Sequence, residues 1–164
     1  MFSFSSCRVR RLTLISSVIL AAFIGSMASA AAGTDVWYLT LNKSQLNPPS
    51  YIFGLVWPIL YILMMVSAFL TYRKVFSVFL IQLIFNAAWS WLFFRFQMPL
   101  VALFDIYILI IINIYLLYLM YKESKIGFLL FIPYVLWISF ASYLNLFIVI
   151  NLSLIHISEP TRRP

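Results

Sequence analysis

Charge is scarce in this 164-residue chain: 9% of its residues are charged and only four are acidic. Soluble domains carry about a quarter. With 65% hydrophobic and 19% aromatic residues, a water-soluble fold is excluded. The single cysteine, Cys7, excludes an intrachain disulfide. The single histidine, His156, leaves no Cys/His cluster for a structural zinc. It also leaves no Ser/His/Asp set, because His156 lies in a tail set aside below. No part of the composition points to nucleic acid, despite the net charge of +7.

What is present is long apolar runs. A helix needs about 20 apolar residues to cross a bilayer core of about 30 Å. Five stretches qualify: about Leu12–Ala32, Tyr51–Tyr72, Val75–Phe94, Leu100–Tyr121 and Ile126–Asn151. Membrane barrels are built from strands that alternate apolar and polar residues. These runs do not alternate, so the expected fold is an all-α integral membrane protein, a bundle of five transmembrane helices.

The basic residues are distributed unevenly. Arg8, Arg10, Arg11, Arg73, Lys74, Lys122 and Lys125 fall on one side, and Lys43 and Arg95 on the other. The positive-inside bias then puts the N-terminus in the cytoplasm and the first loop outside. The wealth of Ile, Phe, Tyr and Asn suits an AT-rich genome, hence a bacterial cell membrane.

The organisation expected is a basic segment over 1–11, a transmembrane domain over 12–151 and a tail over 152–164. The start of the first span, with its arginines and "SMASAAAG", imitates a cleavable signal peptide. Its apolar part is longer than such a signal needs. Ser17, Ala21, Gly25 and Ser29 also form a small-residue stripe for close helix packing, so a retained helix is expected. The tail "LSLIHISEPTR" is unlike the rest. It looks like the in-frame translation of a sequencing adapter, so it is expected to be non-native and His156 receives no role.

The polar loop inside "WYLTLNKSQLNPPSYIFGLVWPILY", Trp37 to Tyr61, cannot sit in lipid with its backbone unsatisfied. Asn47 is expected to cap the second span, with Pro48 in its first turn. Pro58 falls within that span and should kink it. Phe53, Trp57 and Tyr61 share a face. The short "TYRK" turn makes spans two and three antiparallel neighbours.

Span three carries Gln82, Asn86 and Ser90 on one face, for interhelical hydrogen bonds or for a cavity wall. Asp105 is the only acid within a span. Ionised at mid-membrane it costs about 2.5–3.5 kcal/mol, so it meets a polar partner, with Arg95 a candidate, or stays protonated. In span five Tyr134, Trp137, Ala141 and Asn145 share a face, either a pocket wall or a slot for another helix.

These residues resemble the TspO/MBR family of tryptophan-rich sensory and translocator proteins. The resemblance covers about Ser17 to Asn151. It rests on "WYLTLNKSQLNPPSYIFGLVWPILYILM", "QLIFNAAWSWLFF", "ALFDIYIL" and "PYVLWISFASYLN", in that order. It implies a five-helix bundle, commonly homodimeric, with a cavity for porphyrin-like ligands beneath the first loop. Carried over by motif, the cavity would include Trp57, Tyr61, Asn86, Ser90, Asp105, Trp137 and Ala141, with Trp37, Tyr38 and Tyr51 as lid and rim. The resemblance implies no required cofactor or metal, with porphyrin or haem as the ligand to expect. Without a native histidine, haem would lack its commonest axial ligand.

The loop departs from the family's usual Lys-Pro-x-Trp-x-Pro-Pro: Ser44 replaces the first proline and Leu46 the tryptophan. Tyr143 is followed by no basic residue before the tail, and no sterol reading is drawn. The expected function is a ligand-binding receptor, sensor or carrier for tetrapyrroles. The alternatives are a light-dependent porphyrin-degrading enzyme working through Trp57 and Trp137, and a structural or regulatory membrane subunit.

Overall fold

The computed structural model describes residues 2–30 and 34–158, with side chains described over 7–30 and 34–153. The sequence readings that concern His156 and most of the tail over 152–164 lie outside the described side chains. All regular structure among the described residues is helical: α1 (Phe2–Ser29), a short α2 (Val36–Thr40), α3 (Ser50–Leu70), α4 (Tyr72–Ser90), α5 (Pro99–Tyr121) and α6 (Lys125–Ser158). Five helical stretches are long and apolar enough to cross a membrane. Their outer faces carry large apolar side chains such as Leu55, Phe104, Ile111 and Leu136, each more than 60% exposed. Such a surface belongs against lipid tails, since soluble monomers rarely expose large apolar patches.

Helix ends follow local chemistry. Asp35 caps α2, its carboxylate accepting from Trp37 N at 2.9 Å. The expected cap at Asn47 is not formed. The α3 helix starts at Ser50 after Pro49, and the Asn47 amide donates to Pro48 O at 3.1 Å instead. Two successive prolines hold the chain extended and delay the helix. Pro58 lies inside α3 as expected. The end of α4 widens into a π-helical turn over Trp91–Arg95. Gln97 then turns the chain with φ 54°, and Pro99 opens α5.

The five long helices close into a ring in the order α1, α3, α6, α5, α4 and back to α1. The α3 and α4 helices are antiparallel across a single residue, Thr71, but they are not the close pair the short turn suggested. Helix α1 is wedged between them. Its buried face is Leu14, Val18, Ala21, Gly25 and Ala28. Of the stripe expected at spacing four, Ala21 and Gly25 are buried and Ser17 and Ser29 are half-buried, because each such step drifts about 40° around a helix of 3.6 residues per turn. At Gly25 α1 faces α3 and α4: a Cβ there would lie 3.5 Å from Ser90 Oγ and 3.7 Å from Tyr61 Oη, both ordinary contact distances.

The basic end is tied by two devices. The Glu123 carboxylate accepts from the backbone amides of Arg73 (3.3 Å) and Lys74 (2.9 Å), linking the α3–α4 turn to the α5–α6 turn. The Arg11 guanidinium lies 4.4 Å from the ring centroids of both Phe69 and Tyr72.

A polar chain crosses the core. Tyr61 donates to Asn86 Oδ1 (2.9 Å), the Asn86 amide donates to Tyr134 Oη (3.0 Å), and Tyr134 donates to Gln82 Oε1 (3.1 Å). Gln82 and Tyr134 are fully buried. The chain joins α3, α4 and α6 where no water can compensate. Interhelical bonds of this kind contribute about 0.6 kcal/mol each in membranes. Tyr134→Phe removes two of them, so unfolding in detergent should become easier by about 1 kcal/mol. An unchanged unfolding midpoint would show the chain to be incidental.

Candidate functional site

Between the ring and the first loop lies a cavity of about 910 Å³. Small-molecule sites run from about 300 to 1,000 Å³. Gly25 and Ser29 of α1, Trp57 and Tyr61 of α3, Trp89 and Ser90 of α4, and Trp137 and Ala141 of α6 form its walls. Tyr38, Lys43 and Asn47 contribute from the loop.

Aromatic packing fixes the wall. Trp57 lies 5.4 Å from Tyr61, Phe53 meets Trp137 edge-on at 5.7 Å, and Trp89 stacks on Phe93 at 5.3 Å. Ala141 leaves open the space beside Trp137 that a larger residue would fill. The Gly25 site is less tight than it looks. Its nearest non-bonded atoms stand at ordinary contact distance from an added Cβ, so Gly25→Ala should leave the unfolding midpoint within about 1 kcal/mol of the native value. A larger loss would mean that α1 has no room to move.

The loop is held at both sides. Tyr38 packs edge-on to Phe94 at 5.5 Å, Ser44 Oγ and Tyr143 Oη are 3.3 Å apart, and Asn42 donates to Asn151 Oδ1 at 3.1 Å. Burial raises the Tyr38 phenol above its usual pKa, with a hydrogen bond to Asn47 pulling the other way. Burial lowers the Lys43 ammonium, which sits 4.3 Å above the Tyr38 ring centroid.

The sequence that forms these five apolar helices, with its polar aromatic loop and tryptophans on α3, α4 and α6, matches a family model. The description is TspO/MBR family, and it covers residues 14–150. The chain belongs to the TspO/MBR family. It is 41% identical over 118 residues to the tryptophan-rich protein TspO of Chlorobaculum tepidum, covering 66% of this chain and 75% of that one. It is 35% identical over 143 residues to the tryptophan-rich protein TspO of Archaeoglobus fulgidus, covering 82% and 93%. It is 27% identical over 136 residues to the human translocator protein, covering 77% and 80%. It is thus a multi-pass membrane protein of the TspO/MBR family.

The residues that the TspO/MBR resemblance suggested fall into two groups. Tyr38, Trp57, Tyr61, Ser90, Trp137 and Ala141 line the cavity together. The other four do not. Asn86 sits behind the wall, its amide occupied by Tyr61 and Tyr134, and borders only a void of about 10 Å³. Trp37 is turned onto Phe93, edge-on at 5.9 Å. Tyr51 is 72% exposed on the outer side of α3.

Asp105 is buried in α5, which contributes nothing to the cavity wall. Its Oδ2 has no hydrogen-bond partner, and of the two readings, a polar partner such as Arg95 or a protonated acid, the pairing with Arg95 is not formed. Asn145, on the face read as either a pocket wall or a slot for another helix, ties α6 to α5. With its amide oriented to satisfy both groups, it donates to Pro99 O at 3.0 Å and accepts from Leu103 N at 3.1 Å.

Sequence reasoning did not place Gly25, Ser29, Lys43 or Trp89 at the site. Gly25 and Ser29 read as packing residues, and both in fact pack and line. Lys43 read only as a topological charge, although it is the one charged residue between Asp35 and Arg73.

Proposed function

We propose that this TspO/MBR protein is a membrane receptor, sensor or carrier that holds a porphyrin-like ligand in the cavity, with the first loop as its lid. The observation that carries the reading is the aromatic wall, with Trp57, Trp89 and Trp137 converging from three helices on one space of about 910 Å³. A flat apolar ring suits such a wall, since aromatic faces gain from offset stacking beyond the area they bury. Ser90 and Tyr61 supply a few polar groups to orient it. The residues present need no metal, and a tetrapyrrole enters this reading as ligand. A homodimer belongs to the same reading through the family resemblance.

The test is a titration of purified protein with metal-free porphyrin, followed by quenching of tryptophan fluorescence. Saturable quenching at one site per chain is expected. Quenching that rises linearly with porphyrin would mean only partition into detergent and would refute the proposal. Repeating the titration under illumination separates the enzymatic alternative. Porphyrin bleaching that depends on Trp57 and Trp137 would replace the receptor by a light-dependent degrading enzyme.

The proposed orientation puts the loop end of the cavity outside the cell, with the N-terminus cytoplasmic. Seven basic residues gather at the opposite end, in the short loops where such a bias orients a chain. A reporter fused after Lys43 should read external, and one after Lys74 cytoplasmic. The reverse result would place the mouth of the cavity in the cytoplasm.

A further inference from the structure

The end of the bundle away from the cavity is basic. It gathers seven basic residues from α1 and from the α3–α4 and α5–α6 turns, against one acid, Glu123. That acid is already committed: its two oxygens accept from the backbone amides of Arg73 and Lys74. Three guanidiniums are held by aromatic rings instead. Arg11 lies 4.4 Å from the centroids of Phe69 and Tyr72, and Arg10 lies 5.5 Å from that of Phe76. Arg73 donates from Nε to the Tyr72 hydroxyl at 3.0 Å. Tyr72 and Phe76 are one helical turn apart on α4, so their rings share a face, the one that meets α1.

Two cations therefore share one tyrosine ring, and a third stands a turn away. Among the described residues none of the three enters an ion pair, and Arg11 Nε is covered with no hydrogen-bond partner. Cation–π contacts orient the guanidiniums but leave their terminal N–H groups without acceptors. Arg10 and Arg73 are exposed, so the cluster is open to a ligand from outside. Like charges so placed repel one another, and an anion among them turns repulsion into attraction. Depth supplies the class of anion. The cluster lies where α1 enters the bundle, α3 ends at Leu70 and α4 starts at Tyr72, at the level of lipid headgroups. Leu12 and Phe69 beside it are apolar and exposed, a surface suited to acyl chains. Exposed Tyr118 and Tyr121 mark the same end, as amphipathic rings do at a membrane interface.

We propose that Arg10, Arg11 and Arg73 form a site for the phosphate of an anionic phospholipid, whose acyl chains run down the bundle past Leu12 and Phe69. The site is separate from the cavity and does not depend on the porphyrin reading. A guanidinium presents parallel N–H groups that match two phosphate oxygens, and such charge-assisted bonds are about twice as strong as neutral ones. The rings of Tyr72 and Phe76 hold the arginines in place before the lipid arrives. The bound lipid then bridges α1 to the start of α4, adding to the clasp that Arg11 makes on Phe69 and Tyr72.

The experiment titrates detergent-purified protein with dioleoyl phosphatidylglycerol and with dioleoyl phosphatidylcholine, and counts the lipid retained per chain by native mass spectrometry. The two lipids share chains and phosphate, but choline adds a cation that the arginines repel. The readout is the ratio of the two affinities within one protein, so a partial loss of folded material cancels. Native protein should retain one phosphatidylglycerol per chain and prefer it by about tenfold or more. Arg10→Gln/Arg73→Gln keeps the Arg11 clasp, and hence the packing of α1, and should lower the preference to about threefold or less. Lys122→Gln/Lys125→Gln removes the same charge from the same end and should leave the native preference in place. A native ratio near one overturns the site. Equal erosion by the two double variants also overturns it, since a diffuse field and not a site would then attract the lipid. Inorganic phosphate in large excess should not displace the lipid; displacement would make this a free-anion site and overturn the lipid assignment.

Discussion

Trp57→Ala and Trp137→Ala will each weaken porphyrin binding by at least about tenfold, while Trp91→Ala will change it by less than about threefold. An aromatic side chain buries about 150–250 Å² in a packed site. If about a third of that faces the ligand, its loss forfeits about 1.5 kcal/mol at ~25 cal/mol per Å². Lost ring stacking adds about 0.5–1.5 kcal/mol. The sum of about 2–3 kcal/mol exceeds the 1.4 kcal/mol that separates one decade in affinity.

Trp57 and Trp137 both line the cavity, from α3 and α6. Trp91 is one residue beyond the lining Ser90, but its indole donates to Ile24 O at 3.1 Å and its ring packs toward Phe96. It fastens α1 to the end of α4 and is absent from the cavity wall. Fluorescence titration of the three variants, each checked for a native elution profile, decides the matter. Equal losses in all three would make the tryptophans structural and favour a scaffold over a receptor.

Gly127→Val will cost about 2–3 kcal/mol of stability, the upper range for overpacking a core. Gly127 opens α6 at the basic end, buried against the α3–α4 turn. A Cβ there would fall 2.7 Å from Thr71 Cγ2, 3.4 Å from Ser67 O and 3.6 Å from Leu70 Cβ. Thr71 cannot easily turn away, because its hydroxyl donates to Ser67 O at 2.8 Å. Ser67 in turn donates to Gly127 O at 2.7 Å. The helices are therefore clasped backbone to side chain, with no room for a methyl group.

Gly127→Ala meets the same clash and recovers up to about 1 kcal/mol through helix propensity, so its loss is smaller. Thr71→Ser removes the offending methyl and keeps the hydroxyl. It should be destabilising alone and restorative in the Gly127→Ala background, a coupling within the roughly 0.5–3 kcal/mol seen for touching residues. Denaturant titrations in detergent measure all four proteins. Additive effects, or a Gly127→Val chain as stable as the native one, would show that the two helices separate there at little cost.

Hydropathy made the five spans and their helical nature legible, because lipid leaves a backbone few ways to satisfy itself. It could not reveal who sits beside whom. A helix that is apolar all round gives little sign of which face meets protein and which meets lipid. The short turn at Thr71 therefore suggested a close α3–α4 pair, and only the small residues of α1 hinted at the wedge.

The residues that line the cavity were partly legible through motif and spacing: the aromatic Tyr38, Trp57, Tyr61 and Trp137 and the small Ser90 and Ala141 all reach it. Spacing alone could not separate Ser90 from Asn86 one turn away, since the stripe rotates from cavity to core along α4. Asp105 looked functional because a carboxylate in a span is costly, yet cost says nothing of direction. The π-turn at Trp91–Arg95 has no sequence signature among those apolar aromatics.

The order of helices around the ring also bears on how the chain is made. The wall that holds Trp137 and Ala141 belongs to α6, which leaves the ribosome after the other four helices of the ring, and α6 closes the ring against α3. A nascent chain that has inserted α1 to α5 therefore has a groove open to lipid where the finished protein has a chamber. Whatever fills the chamber binds only the closed ring, and each tenfold excess of ligand over its dissociation constant adds about 1.4 kcal/mol to closure. Supply of ligand in the membrane would then set how much of the newly made protein survives quality control, making abundance itself a record of ligand level.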